Sequence, residues 1–580
     1  MKPSRNDSCP CGSGKKYKHC CERKTKGSSS FPLIELNRLN ALLNTEKYVE
    51  VESELHKWLG HYSEETKIWE LLATVLRKQK KDALFALQKI VELIPSDANG
   101  HINLGNALKD VGQLEKAANH FCIAAEIQPD NVVSHGNLAT TLMELGQLER
   151  ALDSFGRAVE VKPDFAAGRS NLLFVLNYTE LRSALERFTE AISYGKMVAS
   201  KVTTRYTTWQ CDPQPQRLRV GIVSGDLRTH SVAHFLENLL IDLDTSRVEL
   251  IAYTNNPISD DLTTRIKPYF SQWREVFTLN DQAAAQLIHD DGIHILIDLS
   301  GHTAKNRLPV FAWKPAPVQV SWLGYFASTG MTEINYLLAD KTGVPDDQRS
   351  HFCETIWYLP DTRLCFTPPD TDLPVAPLPS LSNGHITFGC YQNLAKVTDA
   401  VLAVWGRIFA ALPNARLHLM SQQLKDPSVV LQLHQRLEKC GITQGRALLH
   451  SSLPRAEYLA SHANVDILLD TYPYPGGTTT CESLWMGVPT LTLAGNTLLS
   501  RQGASLLTAA GLPDWIANNE DDCVAKAVHF ASDLPKLATL RAGLRERVRT
   551  SPLFDAPRFA KHFEQALWGM WQANQHKIRA

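Results

Sequence analysis

The stretch VDILLDTYPYPGGTTTCESLWMGVPT, residues 465–490, runs from an apolar segment through a turn with two glycines into a segment of helical character. The apolar segment predicts a buried strand. Gly476 and Gly477 let the backbone amides that follow them approach an anion at the start of the helix. Hydroxyl groups suited to phosphate oxygens come from three consecutive threonines, Thr478, Thr479 and Thr480. The turn therefore suits a nucleotide phosphate.

Glu482 lies just inside the same predicted helix. A carboxylate there can accept hydrogen bonds from vicinal hydroxyls such as those of a ribose. Gly-Thr turns also precede ordinary helices, in which threonine acts only as the N-cap. The residue types alone leave both interpretations open, so the surrounding pattern must separate them.

Two series of apolar strands alternate with helical stretches in the second half of the chain. The first includes RLRVGIVSGDL, VELIAYTN, GIHILIDLSG and APVQVSWLGYF, and the second includes GHITFGCYQNLAKV, ARLHLMS, RALLHSSL and PTLTLAG. Strands that alternate with helices form parallel sheets. The sequence predicts two Rossmann-like lobes, at residues 216–380 and 381–580, the second ending in a helix. A ligand is expected in the cleft beyond the carboxyl ends of the strands.

A 34-residue repeat precedes these lobes. The segment ANGHINLGNALKDVGQLEKAANHFCIAAEIQPDN, residues 98–131, aligns without gaps with VVSHGNLATTLMELGQLERALDSFGRAVEVKPDF, residues 132–165. This is the tetratricopeptide period, with Gly112 and Gly146 at the turns between paired helices. The sequence predicts a helical solenoid over residues 32–185, with a degraded copy before the clear repeats and an incomplete one after them. The array is expected to dock partner polypeptides.

Four cysteines lie within the first 21 residues, in SRNDSCPCGSGKKYKHCCERK. The spacing C-x-C-x8-C-C in a segment too short for a core suits tetrahedral zinc. The segment resembles the SEC-C zinc module, which implies a structural zinc and a protein-docking role for residues 1–25. The implied ligands are Cys9, Cys11, Cys20 and Cys21, with His19 as the alternative fourth ligand. A thiol-rich tail without metal is the competing interpretation.

Composition excludes several functional classes. The 60 basic and 61 acidic side chains give a net charge of -1, which argues against a nucleic-acid partner. No apolar run approaches the ~20 residues of a membrane helix, and the amino terminus lacks the apolar core of a signal peptide. A cytoplasmic protein without membrane association is expected.

From about Arg219 onward, the chain resembles the catalytic region of the nucleocytoplasmic protein O-GlcNAc transferases and their plant SPINDLY-type relatives, which also carry tetratricopeptide repeats. The resemblance rests on the blocks VGIVSGDLRTHSVAHFLE, DGIHILIDLSGHTAKNRL, PAPVQVSWLGY, FGCYQNLAKVT and GGTTTCESLWMGVP. It implies a multidomain chain whose α/β part has the GT-B fold. It also implies an inverting transferase that moves a sugar from a nucleotide diphosphate to Ser or Thr of proteins, without a metal in the active site.

The same resemblance implies roles for individual residues. Lys396 corresponds to the lysine over the diphosphate, where a cation and backbone amides would stabilise the leaving group. Without the resemblance, Lys396 reads as a solvated lysine at a helix start. His230 corresponds to the family's active-site histidine; proton transfer and positioning both suit an imidazole with a pKa of about 6.5. Further implied donor contacts are Asn393, Arg455, Tyr458 and Arg501. Weaker cleft candidates are His234, His302 and His294, since a lone histidine is more often structural.

Departures from the family bear on the donor. The animal transferases carry histidine at the positions that Gly477 and Tyr458 occupy here. Tyr458 can still stack on a nucleobase. Phe326 replaces a family proline beside the cleft. Several blocks look closer to the SPINDLY type, whose members transfer fucose from GDP-fucose, whereas Arg501 matches the GlcNAc transferases. These two signals disagree. UDP-GlcNAc is favoured because it is the commoner assignment of such domains in bacteria, with GDP-fucose as the alternative. A catalytically weak adaptor that senses a nucleotide sugar is a hypothesis of another class.

Overall fold

The structure, a computed structural model, describes Lys16 and residues 31–579. The predicted zinc ligands Cys9, Cys11, Cys20 and Cys21 lie outside the described residues. The chain divides into two compact units, residues 1–130 and 131–580.

The first unit contains consecutive helices that pack in pairs. Gly112, with φ +82°, forms the turn between the last two helices, a left-handed conformation that glycine adopts without strain. The helices are α1 (Leu33–Asn44), α2 (Tyr48–Leu59), α3 (Thr66–Lys78), α4 (Leu84–Leu93), α5 (Ala98–Asp110) and α6 (Leu114–Ile127).

The second unit begins with four more helices of the same kind. Gly146 has φ +75° in the turn between the first two, as the repeat predicts. The predicted incomplete copy is followed by a long helix, which starts at a capping box formed by Ser183 and Glu186. These helices are α7 (Val132–Glu144), α8 (Leu148–Val161), α9 (Ala166–Leu176) and α10 (Ala184–Ala199).

A parallel seven-stranded sheet follows, in the order β3-β2-β1-β4-β5-β6-β7. Its central strands are buried almost throughout, because helices cover both faces of a parallel sheet. The strands are β1 (Leu218–Ser224), β2 (Val248–Thr254), β3 (Gln272–Glu275), β4 (Ile295–Asp298), β5 (Val318–Ser321), β6 (Tyr336–Ala339) and β7 (Thr355–Tyr358). The helices are α11 (Ser231–His234), α12 (Glu237–Asp242), α13 (Asp261–Ile266), α14 (Asp281–Asp290) and α15 (Leu308–Phe311).

A second parallel sheet has six strands, in the order β10-β9-β8-β11-β12-β13. The strands are β8 (Thr387–Cys390), β9 (Arg416–Met420), β10 (Ala447–His450), β11 (Ile467–Leu469), β12 (Thr490–Leu493) and β13 (Ile516–Ala517). The helices are α16 (Ser380–Asn383), α17 (Asp399–Ala411), α18 (Pro427–Lys439), α19 (Arg455–Ser461), α20 (Thr478–Trp485), α21 (Gln502–Ala509), α22 (Glu520–Ser532), α23 (Leu534–Arg549) and α24 (Ala556–Arg579). The last helix packs on α12 and β5, so it returns to the first sheet.

The two sheets share one topology. In each sheet, successive strands are added first on one side of the first strand and then on its other side. The strand order changes direction between β1 and β4 in the first sheet and between β8 and β11 in the second. Ligands of doubly wound sheets bind at such switch points, beyond the carboxyl ends of the strands. The predicted helical repeats and paired parallel sheets are confirmed, and the turn in residues 465–490 follows β11, at the switch point of the second sheet.

Candidate nucleotide-binding site

A buried carboxylate organises the turn after β11. Asp470 Oδ1 accepts hydrogen bonds from the backbone N–H of Thr471, at 3.0 Å, and of Gly476, at 2.7 Å. Its Oδ2 accepts from Thr492 Oγ1 at 2.8 Å. Burial raises the pKa of Asp470 to about 6. This side chain fixes the backbone that leads into α20.

Helix α20 begins at Thr478 without a side-chain cap, so its first N–H groups are available to a ligand. The hydroxyl oxygens of Thr478 and Thr480 are buried and bond no other described residue. We call these two groups the free hydroxyls. The hydroxyl of Thr479 instead accepts from Gln392 Nε2 at 2.7 Å. Because a buried polar group without a partner is costly, the free hydroxyls indicate a ligand site.

Glycine at position 476 is a packing requirement. A Cβ atom there would overlap the side-chain amide of Gln392 and the hydroxyls of Thr479 and Thr480. The turn is therefore tight, and its polar groups converge on a small volume.

Lys396 lies against the start of this turn, in a 3₁₀ segment, Leu394–Lys396, that follows β8. Its Nζ donates to the carbonyl of Pro475 at 3.2 Å and lies 4.0 Å from the ring centroid of Tyr474. Burial lowers the pKa of Lys396 to about 8. The structure thus brings Lys396 next to the threonine turn, as the resemblance implied.

Glu482 is buried in α20 and already has two partners. It forms an ion pair with Arg455 and accepts a hydrogen bond from the Tyr458 hydroxyl at 2.8 Å. Burial raises the pKa of Glu482. The Tyr458 ring also borders an open cleft at the carboxyl ends of β8 and β9, together with Tyr391 and Asn393. Any ribose hydroxyl that binds Glu482 must share it with Arg455 and Tyr458.

The other two implied donor residues make protein contacts. Asn393 Oδ1 caps the 3₁₀ segment by accepting from Ala395 N at 2.9 Å, and it also accepts from Gln423 Nε2 at 2.6 Å. Arg501 Nε donates to the carbonyl of Thr342 at 2.6 Å, which connects the second lobe to the first.

His230 follows β1 at the switch point of the first sheet. Its Nδ1 accepts from the backbone N–H of Val232 at 3.3 Å and lies 3.7 Å from Asp226 Oδ2. Burial lowers the pKa of His230, so the ring is neutral near pH 7. In the neutral tautomer with Nδ1 as acceptor, Nε2 carries the proton. His234 is partly buried on α11, and burial lowers the pKa of its ring as well.

The remaining two candidate histidines, His302 and His294, are buried. His302 bonds Ser170 Oγ at 2.8 Å through Nδ1 and the carbonyl of Thr329 at 3.0 Å through Nε2. His294 bonds Arg219 N at 2.9 Å and the carbonyl of Asp212 at 3.0 Å. Both ring nitrogens are used in each case, which favours the structural interpretation over a cleft role.

Four residues at the site escaped the sequence analysis. Asp470 ends a buried strand just before a glycine turn, a signal that could have identified it. Gln392 stands beside Asn393 in the block that carries Lys396. Tyr474 lies in the turn itself, two residues before Gly476, and its role follows only from the contact of its ring with Lys396. Gln502 contacts the turn through the fold, and the sequence offers no local signal for it.

Phe326, which replaces a family proline, packs against a buried arginine. The ring lies under the Arg363 guanidinium, with 4.9 Å between the guanidinium carbon and the ring centroid.

Among Lys16 and residues 31–579, no group of three or more His, Cys, Asp or Glu side chains is placed to hold a metal ion. Within the same described residues, no helix combines the length and apolar character that crossing a bilayer requires.

Comparisons with known proteins place this geometry in a family. Residues 170–366 and 378–563 match glycosyl transferase family 41, residues 133–165 match a tetratricopeptide repeat, and residues 5–23 match the SEC-C motif. A solved structure titled "Thermobaculum terrenum O-GlcNAc transferase mutant - K341M" is 34% identical with a TM-score of 0.81, and the match covers 88% of this chain and 98% of that one.

Plant proteins named "Probable UDP-N-acetylglucosamine--peptide N-acetylglucosaminyltransferase SPINDLY" are also similar. Those of Solanum lycopersicum and Arabidopsis thaliana are 38% identical over 64% of this chain. The matches cover 41% and 42% of the two relatives, so this chain spans about two fifths of their length. On the family match and the Thermobaculum terrenum structure, the chain belongs to glycosyl transferase family 41.

Proposed function

We propose that this chain moves a sugar from a nucleotide diphosphate to serine or threonine hydroxyls of proteins, with inversion at the anomeric carbon. The free hydroxyls of Thr478 and Thr480, beside Lys396, are the observation that carries the proposal. They are buried donors at a helix start, and phosphate oxygens are the acceptors that fit them. Family membership supports the reaction class.

Lys396 supplies the charge that the departing diphosphate requires. Negative charge grows on the leaving group as the glycosidic bond breaks, and pre-placed donors in a dry site stabilise it strongly. With a pKa of about 8, Lys396 is mostly protonated at pH 7, and a bound diphosphate favours the ammonium further. The N–H groups of the first turn of α20 add to this stabilisation.

His230 acts by positioning in this scheme. Its Nδ1 is engaged by Val232 N, which leaves a proton on Nε2. An Nε2–H group donates hydrogen bonds and cannot take the proton of an acceptor hydroxyl. We therefore assign His230 to orienting the acceptor or the donor sugar.

UDP-GlcNAc is the favoured donor, because the similar proteins are named for it. GDP-fucose is the second candidate, since Gly477 offers no side chain to the donor and several blocks look closer to the SPINDLY type. The test is to incubate the purified protein with labelled UDP-GlcNAc and GDP-fucose in parallel, and to identify modified lysate proteins by mass spectrometry. Transfer from neither donor, with nucleotide still bound, would support a catalytically weak adaptor instead.

A structural zinc in the amino-terminal segment is part of the proposal. The SEC-C match covers the four cysteines, and thiolates at this spacing suit zinc. Replacing Cys9 and Cys11 by Ser is expected to remove about one zinc per chain, measured by atomic emission, while sparing transfer. Zinc retained at full stoichiometry would contradict the ligand set. Acceptor proteins are proposed to dock on the repeats, and a further partner on the zinc module.

A further inference from the structure

Gln502, the first residue of α21, contacts the turn that contains the free hydroxyls. Its side chain is buried, at 5% exposure, and its Nε2 donates to the carbonyl of Gly476 at 3.1 Å. That carbonyl can only accept, so it fixes which end of the amide is nitrogen. The other end, Oε1, is buried and bonds no residue that the structure describes.

The Gln502 amide occupies the space beside Gly477. A Cβ atom built on Gly477 would lie 3.0 Å from Gln502 Nε2 and 3.8 Å from its Cδ, closer than ordinary contact for the nitrogen. The backbone at Gly477 has φ −117° and ψ −83°. Glycine at this position leaves room for the glutamine amide.

The chemistry of Oε1 limits what it can bind. An amide oxygen only accepts hydrogen bonds, whereas phosphate oxygens at neutral pH also accept and do not donate. The free hydroxyls of Thr478 and Thr480 suit phosphate, but Oε1 requires a ligand that brings a donor. In a nucleotide sugar, two groups next to the diphosphate carry hydroxyl or amide N–H donors: the sugar on one side and the ribose on the other. Glu482 is the buried acceptor that suits the ribose hydroxyls, which leaves the sugar as the donor to Oε1. The nucleobase lies at the far end of the nucleotide.

We infer that Gln502 is a specificity-determining residue for the donor sugar, whose hydroxyl or amide N–H donates to Oε1. The inference rests on the proposed function, because it requires a diphosphate at the turn. Gln502 then distinguishes a nucleotide sugar from the nucleoside diphosphate that remains after transfer. Gly477 and Gln502 act as a pair in this arrangement.

The test compares affinities for UDP-GlcNAc and UDP, or for GDP-fucose and GDP if fucose is the donor used. Gln502→Leu is expected to weaken binding of the nucleotide sugar about tenfold and to leave the nucleoside diphosphate unchanged. Gln572→Leu, on the exposed face of α24, is the matched control. Equal weakening of both ligands would mean that Gln502 only supports the turn, and no change in either would mean that it contacts neither. Both results overturn the inference.

A double-mutant cycle tests the pairing. Gly477→Ala is expected to displace the glutamine amide and weaken nucleotide-sugar binding about threefold, but to have no further effect in a Gln502→Ala background. Additive effects would overturn the pairing. Failure of the proposed function itself looks different, because the wild-type protein would then bind neither nucleoside diphosphate or would bind nucleotide without transferring a sugar.

Discussion

The turns after β4 and β11 start alike. Asp298 ends β4 and accepts from the N–H groups of Ser300, at 3.1 Å, and Gly301, at 2.7 Å. Asp470 follows β11 and likewise accepts from two backbone N–H groups of its own turn. Burial raises the pKa of both carboxyl groups, to about 7 for Asp298 and about 6 for Asp470. Each lobe thus uses a buried aspartate to anchor a turn at its switch point.

Beyond the aspartates the two turns differ. The first reaches His302, whose two nitrogens bond Ser170 in the repeat helices and the backbone of Thr329. The second enters α20, where the hydroxyls of Thr478 and Thr480 bond no described residue. The first turn also holds one buried hydroxyl, Ser300 Oγ, that bonds no described residue. The contrast therefore lies between His302, whose two ring nitrogens are both bonded, and the free hydroxyls, which stand at a helix start that suits a ligand. The difference distinguishes a stabilising turn from a binding turn.

The largest expected effect is at Lys396. Lys396→Ala is expected to lower kcat by about 10²–10³-fold, because the leaving group loses its cation. Single-turnover transfer with saturating donor measures it. Lys439→Ala, an exposed lysine of the same lobe, should behave as wild type. Unchanged transfer in Lys396→Ala would mean that Lys396 and the binding turn take no part in the reaction.

Substitution of His302 is expected to lower stability and to leave ligand binding unchanged. His302→Leu leaves Ser170 Oγ and the Thr329 carbonyl without this partner, so we expect the free energy of unfolding to fall by about 1–3 kcal/mol. Nucleotide affinity of the folded protein should not change. Denaturant unfolding and calorimetric titration with UDP measure the two quantities, with His56→Leu, exposed on α2, as control. Lost affinity at full stability would mean that the first turn also binds ligand.

Sequence patterns predicted the strands, the repeats and the turn, because these depend on periodicity and on glycine positions that a linear chain displays. They also led to the threonines, whereas Lys396 followed from the family resemblance. The resemblance ranked His230 above His302 and His294, but the histidine type alone does not reveal whether its nitrogens already have partners. Gln502 could not be predicted either, because it lies 25 residues after Gly477 and contacts the turn only through the packing of α21.

A pH profile tests the charge on Lys396. Burial lowers its pKa from 10.5 to about 8, so the ammonium is present below that pH and is lost above it. We expect kcat/KM to fall about tenfold per pH unit above pH 8, as loss of one proton requires. In Lys396→Arg the guanidinium stays charged, so the remaining activity should lack this alkaline limb. An identical limb in both proteins would assign it to another group.

The smallest expected effect concerns one free hydroxyl. Thr480→Val keeps the shape of the side chain and removes the hydroxyl, which bonds nothing within the described chain. Stability should therefore be unchanged, while UDP affinity falls about fivefold, as for loss of one hydrogen bond to a charged group. Thr508→Val, exposed on α21, is the control. A variant that binds UDP normally but unfolds more easily would mean that Thr480, like His302, has a structural role. The contrast between the two turns would then not hold.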